Sequence, residues 1–118
     1  MKISTIKELL SANTLACEEN LGKHVYSAFG CDLMSDVLAY VTDQSVLLTG
    51  LINPQVIRTA LMMDMVCIIF VRSKAPNQDM IDLARENGIV MMSTEKTLYN
   101  TCGILYSNGL VGIKEVAK

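Results

Sequence analysis

The sequence predicts an α/β protein, a three-layer sandwich whose mostly parallel sheet of about four to five strands is flanked by helices. Three observations carry that reading. The short apolar runs at Ser45–Thr49, 65–71 and 89–92 contain no charged residue. Runs of that kind are buried on both faces, as in a parallel sheet covered by helices. Stretches with apolar residues at helical spacing separate them, and successive β-α-β units close with right-handed crossovers.

The elements follow in order. Helical spacing runs from Thr5 to Ala12, with Thr5 and Glu8 at capping-box distance. Asn13 is a stop, residues 14–17 a short strand and residues 18–22 a turn. Residues 25–29 read as a strand ended by Gly30. A helix then runs from Asp32 to Val41, with Leu33, Met34, Val37, Leu38 and Val41 on one face and Asp32 as its cap. After the strand Ser45–Thr49, Asn53 caps and Pro54 opens a helix whose core face is Val56, Ile57, Ala60 and Leu61. Residues 65–71 form the clearest strand, and residues 72–76 a loop. Asn77 caps a helix whose early Asp79 and Asp82 and late Arg85 suit the helix dipole, and Gly88 ends it. Residues 89–92 form the next strand. Ser93 or Thr94 caps the last long helix, with Leu98, Tyr99, Cys102, Leu105 and Tyr106 as its stripe and Gly109 at its end. Residues 110–113 are a candidate further strand. One domain spans residues 1–113, and residues 114–118 form a short solvated tail.

The chain has 118 residues, 51% hydrophobic and 19% charged. That is apolar for so small a domain, and apolar surface left outside the core points to a homodimer interface. In Leu61-Met62-Met63-Asp64-Met65 core filling is the main expected use, but not all three methionines can face one core, so a helix carrying Met62 or Met63 on its outer side is the expected dimer face. A membrane span needs about 20 apolar residues, and no run approaches that length. No secretory leader is expected, because Lys2, Lys7 and Glu8 leave no long apolar stretch near the start. The net charge is −2 and tryptophan is absent. With no Lys/Arg stripe, nucleic acid is not an expected partner. The four cysteines, Cys17, Cys31, Cys67 and Cys102, lack C-x-x-C spacing, and His24 is the one histidine. No metal site and no cofactor are expected, and free thiols fit a reducing, cytoplasmic compartment.

Candidate chemistry is sparse. Ser93-Thr94-Glu95-Lys96 matches S-x-x-K, but K-T-G and S-D-N are absent, so the match reads as a helix start. Neither a phosphate loop nor a dinucleotide fingerprint occurs. Asp32 and Asp36 stand four apart on one helix, where a cap plus a solvated acid outweighs a metal pair. Helix starts at Asp32, Asn53 and Ser93-Thr94 all follow strands, so a parallel sheet gathers their anion-binding N–H groups on one edge.

A longer pattern runs through the chain. It comprises Leu21-Gly22-Lys23-His24-Val25, then Cys31-Asp32-Leu33-Met34-Ser35-Asp36-Val37-Leu38. It continues with Leu47-Leu48-Thr49-Gly50-Leu51, the strand over 66–71, and Gly88-Ile89-Val90-Met91-Met92-Ser93-Thr94-Glu95. This ordered set resembles the DRTGG domain family over residues 1–112. The chain departs from it where the family takes its name. Gly22-Lys23 stand in place of Asp-Arg, and Tyr26, Ser27 and Ala28 in place of Thr-Gly-Gly. The resemblance implies an α/β fold like the N-terminal domain of HPr kinase/phosphorylase, with no room in 118 residues for a kinase domain. Family members accompany CBS domains in regulatory pyrophosphatases, precede some phosphotransacetylases, or stand alone near iron-only hydrogenase genes. They act there as regulatory or dimerising modules.

The expected function is therefore a non-catalytic regulatory or assembly module of a cytoplasmic metabolic or redox system. It would act as a homodimer, with a hydrogenase-type or other metabolic enzyme as partner. The alternative is a small-anion or nucleotide sensor at the C-terminal edge of the sheet. Its candidate residues are Asp32, Ser35, Asp36, Thr49, Asn53, Ser93 and Thr94.

Overall fold

A computed structural model describes residues 1–41 and 44–113. Its helices are α1 (Ile3–Leu10), α2 (Met34–Tyr40), α3 (Pro54–Met62), α4 (Gln78–Glu86) and α5 (Leu98–Ser107). Its strands are β1 (Asn13–Ala16), β2 (Ser27–Gly30), β3 (Ser45–Thr49), β4 (Cys67–Phe70) and β5 (Val90–Ser93). The strands form one five-stranded sheet in the order β1-β5-β4-β3-β2. Four of them run parallel, and β1 joins β5 antiparallel through Asn13↔Ser93 and Thr14↔Met92. Helices α1 and α5 pack together, with α5 on β2 and β3, while α2, α3 and α4 form the other layer. Every residue of β3 and β4 is buried, as expected of strands covered on both faces. The predicted α/β sandwich is thus the observed fold.

Local chemistry explains where the elements begin. Asn53 accepts from the Gln55 amide at 2.8 Å and Asn77 from that of Met80 at 3.0 Å, so both expected caps form. The expected Thr5–Glu8 capping box does not. Helix α1 starts at Ile3 with no side-chain cap. The Ile3 and Ser4 amides donate instead to the carbonyls of Lys23 and Leu21, at 2.9 and 2.8 Å. Backbone acceptors from a distant turn replace the cap. The strand read over 25–29 begins at Ser27, because Val25 exchanges hydrogen bonds with Met1 and the Tyr26 amide donates to Gln44.

The side-chain faces also differ in detail. Leu33 and Leu38 of the second helical stretch and Leu61 of α3 are exposed, and Thr59 takes the buried place beside Ala60. On α5, Tyr99 and Tyr106 face solvent while Thr101 and Leu105 turn inward. The tyrosines keep their polar tips in solvent, and the small Thr101 takes a buried place on the helix. A Cβ on Gly30 would lie 2.9 Å from the Cys102 Sγ, so α5 meets the end of β2 where only glycine leaves room. Residues 110–113 form no strand. They make a single parallel bridge, Gly112 to Ala28, and the Ala28 amide donates to the Val111 carbonyl at 3.0 Å. The expected solvated tail, 114–118, lies outside the described residues. No helix among the described residues is long and apolar enough to cross a membrane.

Cys67 is wholly buried in β4, and burial pushes its thiol far up from the ordinary value of 9.0. A raised folded-state pKa leaves stability intact below 9.0 and removes it as pH rises beyond, because only the unfolded chain then gains a thiolate. The penalty approaches about 1.4 kcal/mol per pH unit. Urea unfolding at pH 8 and pH 10 should show stability falling more steeply in the native sequence than in Cys67→Ala. Equal slopes would contradict the assignment.

Candidate functional site

The parallel register sets the carboxyl ends of the strands side by side. Thr49 is level with Phe70, and Phe70 with Ser93. The loops after β2, β3, β4 and β5 therefore share one rim.

At one end of the rim, Asp32 joins two loops. Its Oδ1 accepts from the Thr49 Oγ1 and the Gly50 amide, both at 2.8 Å. Thr49 is fully buried, and its Oγ1 also accepts from the Leu51 amide at 3.2 Å. This bonding corrects the expectation that Asp32 caps a helix. Helix α2 begins at Met34 after Leu33, and the carboxylate serves the end of β3 instead. Asp32 lies outside the helix, so it does not form a same-face pair with the half-buried Asp36. Ser35 is exposed in the first turn of α2.

Two unusual residues follow β4. Arg72 and Ser73 have φ of 58° and 56°, the left-handed region that side chains disfavour. Such positions cost about 1–3 kcal/mol each and persist when the surroundings hold them. Here the Arg72 amide donates to the Lys96 carbonyl and the Ser73 amide to the Thr94 carbonyl, both at 2.9 Å. These bonds tie the loop after β4 to the loop after β5. The Arg72 guanidinium lies across Gly50, where an added Cβ would sit 2.6 Å from Nη2.

Thr94 anchors the second loop. Its Oγ1 donates to the Leu10 carbonyl at 2.8 Å and accepts from the Lys96 amide at 3.3 Å. With that hydroxyl committed to α1, Thr94 cannot cap the last helix. Thr97 does so, accepting from the Asn100 amide at 3.4 Å. Of the three helix starts expected on this rim, Asn53 alone caps a helix.

Between the two tied loops, the end of α1, β1 and α4 lies a cavity of about 370 Å³. Ser73, Lys74, Ser93 and Lys96 line it together with Ser11 and Asn13. Their side chains make no hydrogen bond or ion pair among the described residues. Ser93 and Thr94 are the sequence candidates that reach the cavity. Asp32 and Thr49 meet each other away from it, and Ser35, Asp36 and Asn53 do not line it. Sequence reasoning missed Asn13, Ser73, Lys74 and Lys96. The available signal was a lysine in each of two successive loops that follow apolar strands.

Comparison with known proteins agrees with this architecture. The DRTGG domain family matches residues 5–107. A solved structure of similar fold is described as the CBS and DRTGG domains of the regulatory region of Clostridium perfringens pyrophosphatase, complexed with its activator, diadenosine tetraphosphate. The TM-score is 0.71 at 16% identity, covering 88% of this chain and 45% of that one. This chain thus spans about half the length of that relative. No functionally curated protein matches the sequence.

The hydrogen bonds of Asp32 generate a stability test. Asp32→Ala leaves the buried Thr49 hydroxyl without its acceptor, at a cost of about 1–3 kcal/mol. The expected result is a lower urea midpoint with an unchanged slope. An unchanged midpoint would show that the contact contributes nothing.

Proposed function

We propose, from the premise that this chain belongs to the DRTGG domain family, that it is a non-catalytic regulatory module receiving a small anionic ligand at the carboxyl rim of its sheet. The observation that carries this reading is the cavity itself, where two lysines and several hydroxyls face open space uncommitted. Ligands of α/β sheets bind beyond the carboxyl ends of the strands, where this cavity lies. The relative of similar fold is described as a regulatory region with a nucleotide activator, which supports the same class of role here.

A bound anion stabilises the fold by mass action. At ten times its dissociation constant the gain is about 1.4 kcal/mol, enough to raise the Tm by several degrees. The test is thermal denaturation with millimolar inorganic phosphate, pyrophosphate and nucleotides. A rise with at least one of them, abolished in Lys74→Ala/Lys96→Ala, is expected. No rise with any would remove the sensor reading.

A second reading, homodimerisation, rests on a separate surface. Met62 is 70% and Leu61 47% exposed at the end of α3, and the neighbouring helix α2 exposes Leu38. An apolar strip of this kind on a small domain suits a subunit contact, through which the module would act on a partner enzyme. Light scattering should give twice the chain mass for the native protein and the single mass for Met62→Glu. A native monomer at high concentration would exclude this role for the strip.

A further inference from the structure

The cavity is two-sided, and its two sides describe one kind of ligand. Its deep wall is apolar. Leu10 and Pro76 are buried there, and Leu15 and Ile81 half-buried. Leu15 lies below the rim, between Thr14, which is level with Met92, and Ala16, which is level with Met91. The mouth is cationic and hydrated, with Ser73 and Lys74 exposed and Lys96 half-buried. A free phosphate would satisfy the mouth and leave the apolar wall unused. A purely apolar ligand would bury the wall and leave both ammonium groups without a counter-charge.

We infer that the cavity takes a purine nucleoside monophosphate, with its base against the Leu15–Ile81 wall and its phosphate at Lys74 and Lys96. This rests on the reading of the cavity as the regulatory site. The size agrees, since about 370 Å³ is at the small end of the roughly 300–1,000 Å³ typical of small-molecule pockets. One nucleotide matches that volume, and two linked nucleosides would extend beyond it. The charge agrees as well. A phosphate monoester carries about −1.5 to −2 at neutral pH, opposite two lysines. Glu95 also lines the mouth, and its carboxylate disfavours the more highly charged triphosphate. Asn13 supplies the means to read the base. It is the register partner of Ser93, so both side chains share one face of the sheet. Its amide offers a donor and an acceptor together, the pairing that matches an adenine edge.

The experiment is isothermal titration of the full chain with AMP, adenosine, inorganic phosphate and diadenosine tetraphosphate. AMP is expected to bind at least tenfold more tightly than each of the other three. Lys74→Ala/Lys96→Ala should lose at least tenfold for AMP. Asn13→Ala, at an exposed side chain that makes no hydrogen bond among the described residues, should weaken AMP and leave phosphate unchanged. Equal affinity for phosphate and AMP would overturn the nucleoside inference while leaving an anion site in place. Tighter binding of diadenosine tetraphosphate would overturn the size argument. Unchanged AMP affinity in the double lysine variant would place the ligand elsewhere and overturn the inference. No heat with any ligand would remove both the inference and the reading beneath it.

Discussion

The level register of β3, β4 and β5 is the constraint on which the rest of the molecule depends. β3 and β4 are buried along their whole length, so their pairing cannot slip without exposing apolar side chains. In a parallel ladder, level pairing puts all carboxyl ends on one edge. Thr49, Phe70 and Ser93 stand in one row there, and the loops that leave them can touch. The two helical layers cover the faces and leave that edge as the place where the backbone is least regular.

The irregularity is held, not loose. Two backbone bonds clamp residues 72–73 to residues 94–96, and the Thr94 hydroxyl fixes the second loop to the end of α1. The clamp offsets the strain of two consecutive left-handed residues and turns their side chains away from the directions an extended strand would give them. Arg72 then crosses Gly50 while Ser73 and Lys74 reach the cavity. The two ends of the rim therefore differ in character. Around Asp32 the polar groups satisfy one another, and around Lys74 and Lys96 they remain unspent. The proposed ligand site at one end and the structural contact at the other rest on that difference.

The regular parts of this fold were legible in the sequence because their causes are local or periodic. Ser45–Thr49 was readable as a buried strand from its unbroken apolar run, and Asn53-Pro54 and Asn77 as helix starts from capping chemistry. The misread parts have non-local causes. Thr94 has the right residue type for a cap, but its hydroxyl serves a carbonyl 84 residues away. Asp32 likewise serves Thr49 and Gly50, which sequence spacing does not reveal. The start of α1 at Ile3 depends on carbonyls of the turn at 21–23, which local spacing does not reveal. The family pattern located Ser93 and Thr94 but passed over Asn13, Lys74 and Lys96, whose importance lies in the space they share.

The proposed function requires that the ligand touch the clamped loops, which connect β4, β5 and α1 in one hydrogen-bonded unit. Amide chemical-shift mapping by NMR during AMP addition tests that requirement most directly. The largest changes should fall on Asn13, Ser73, Lys74, Glu95 and Lys96. Changes centred instead on Asp32, Ser35, Asp36 and Asn53 would place binding at the other end of the rim and contradict the assignment.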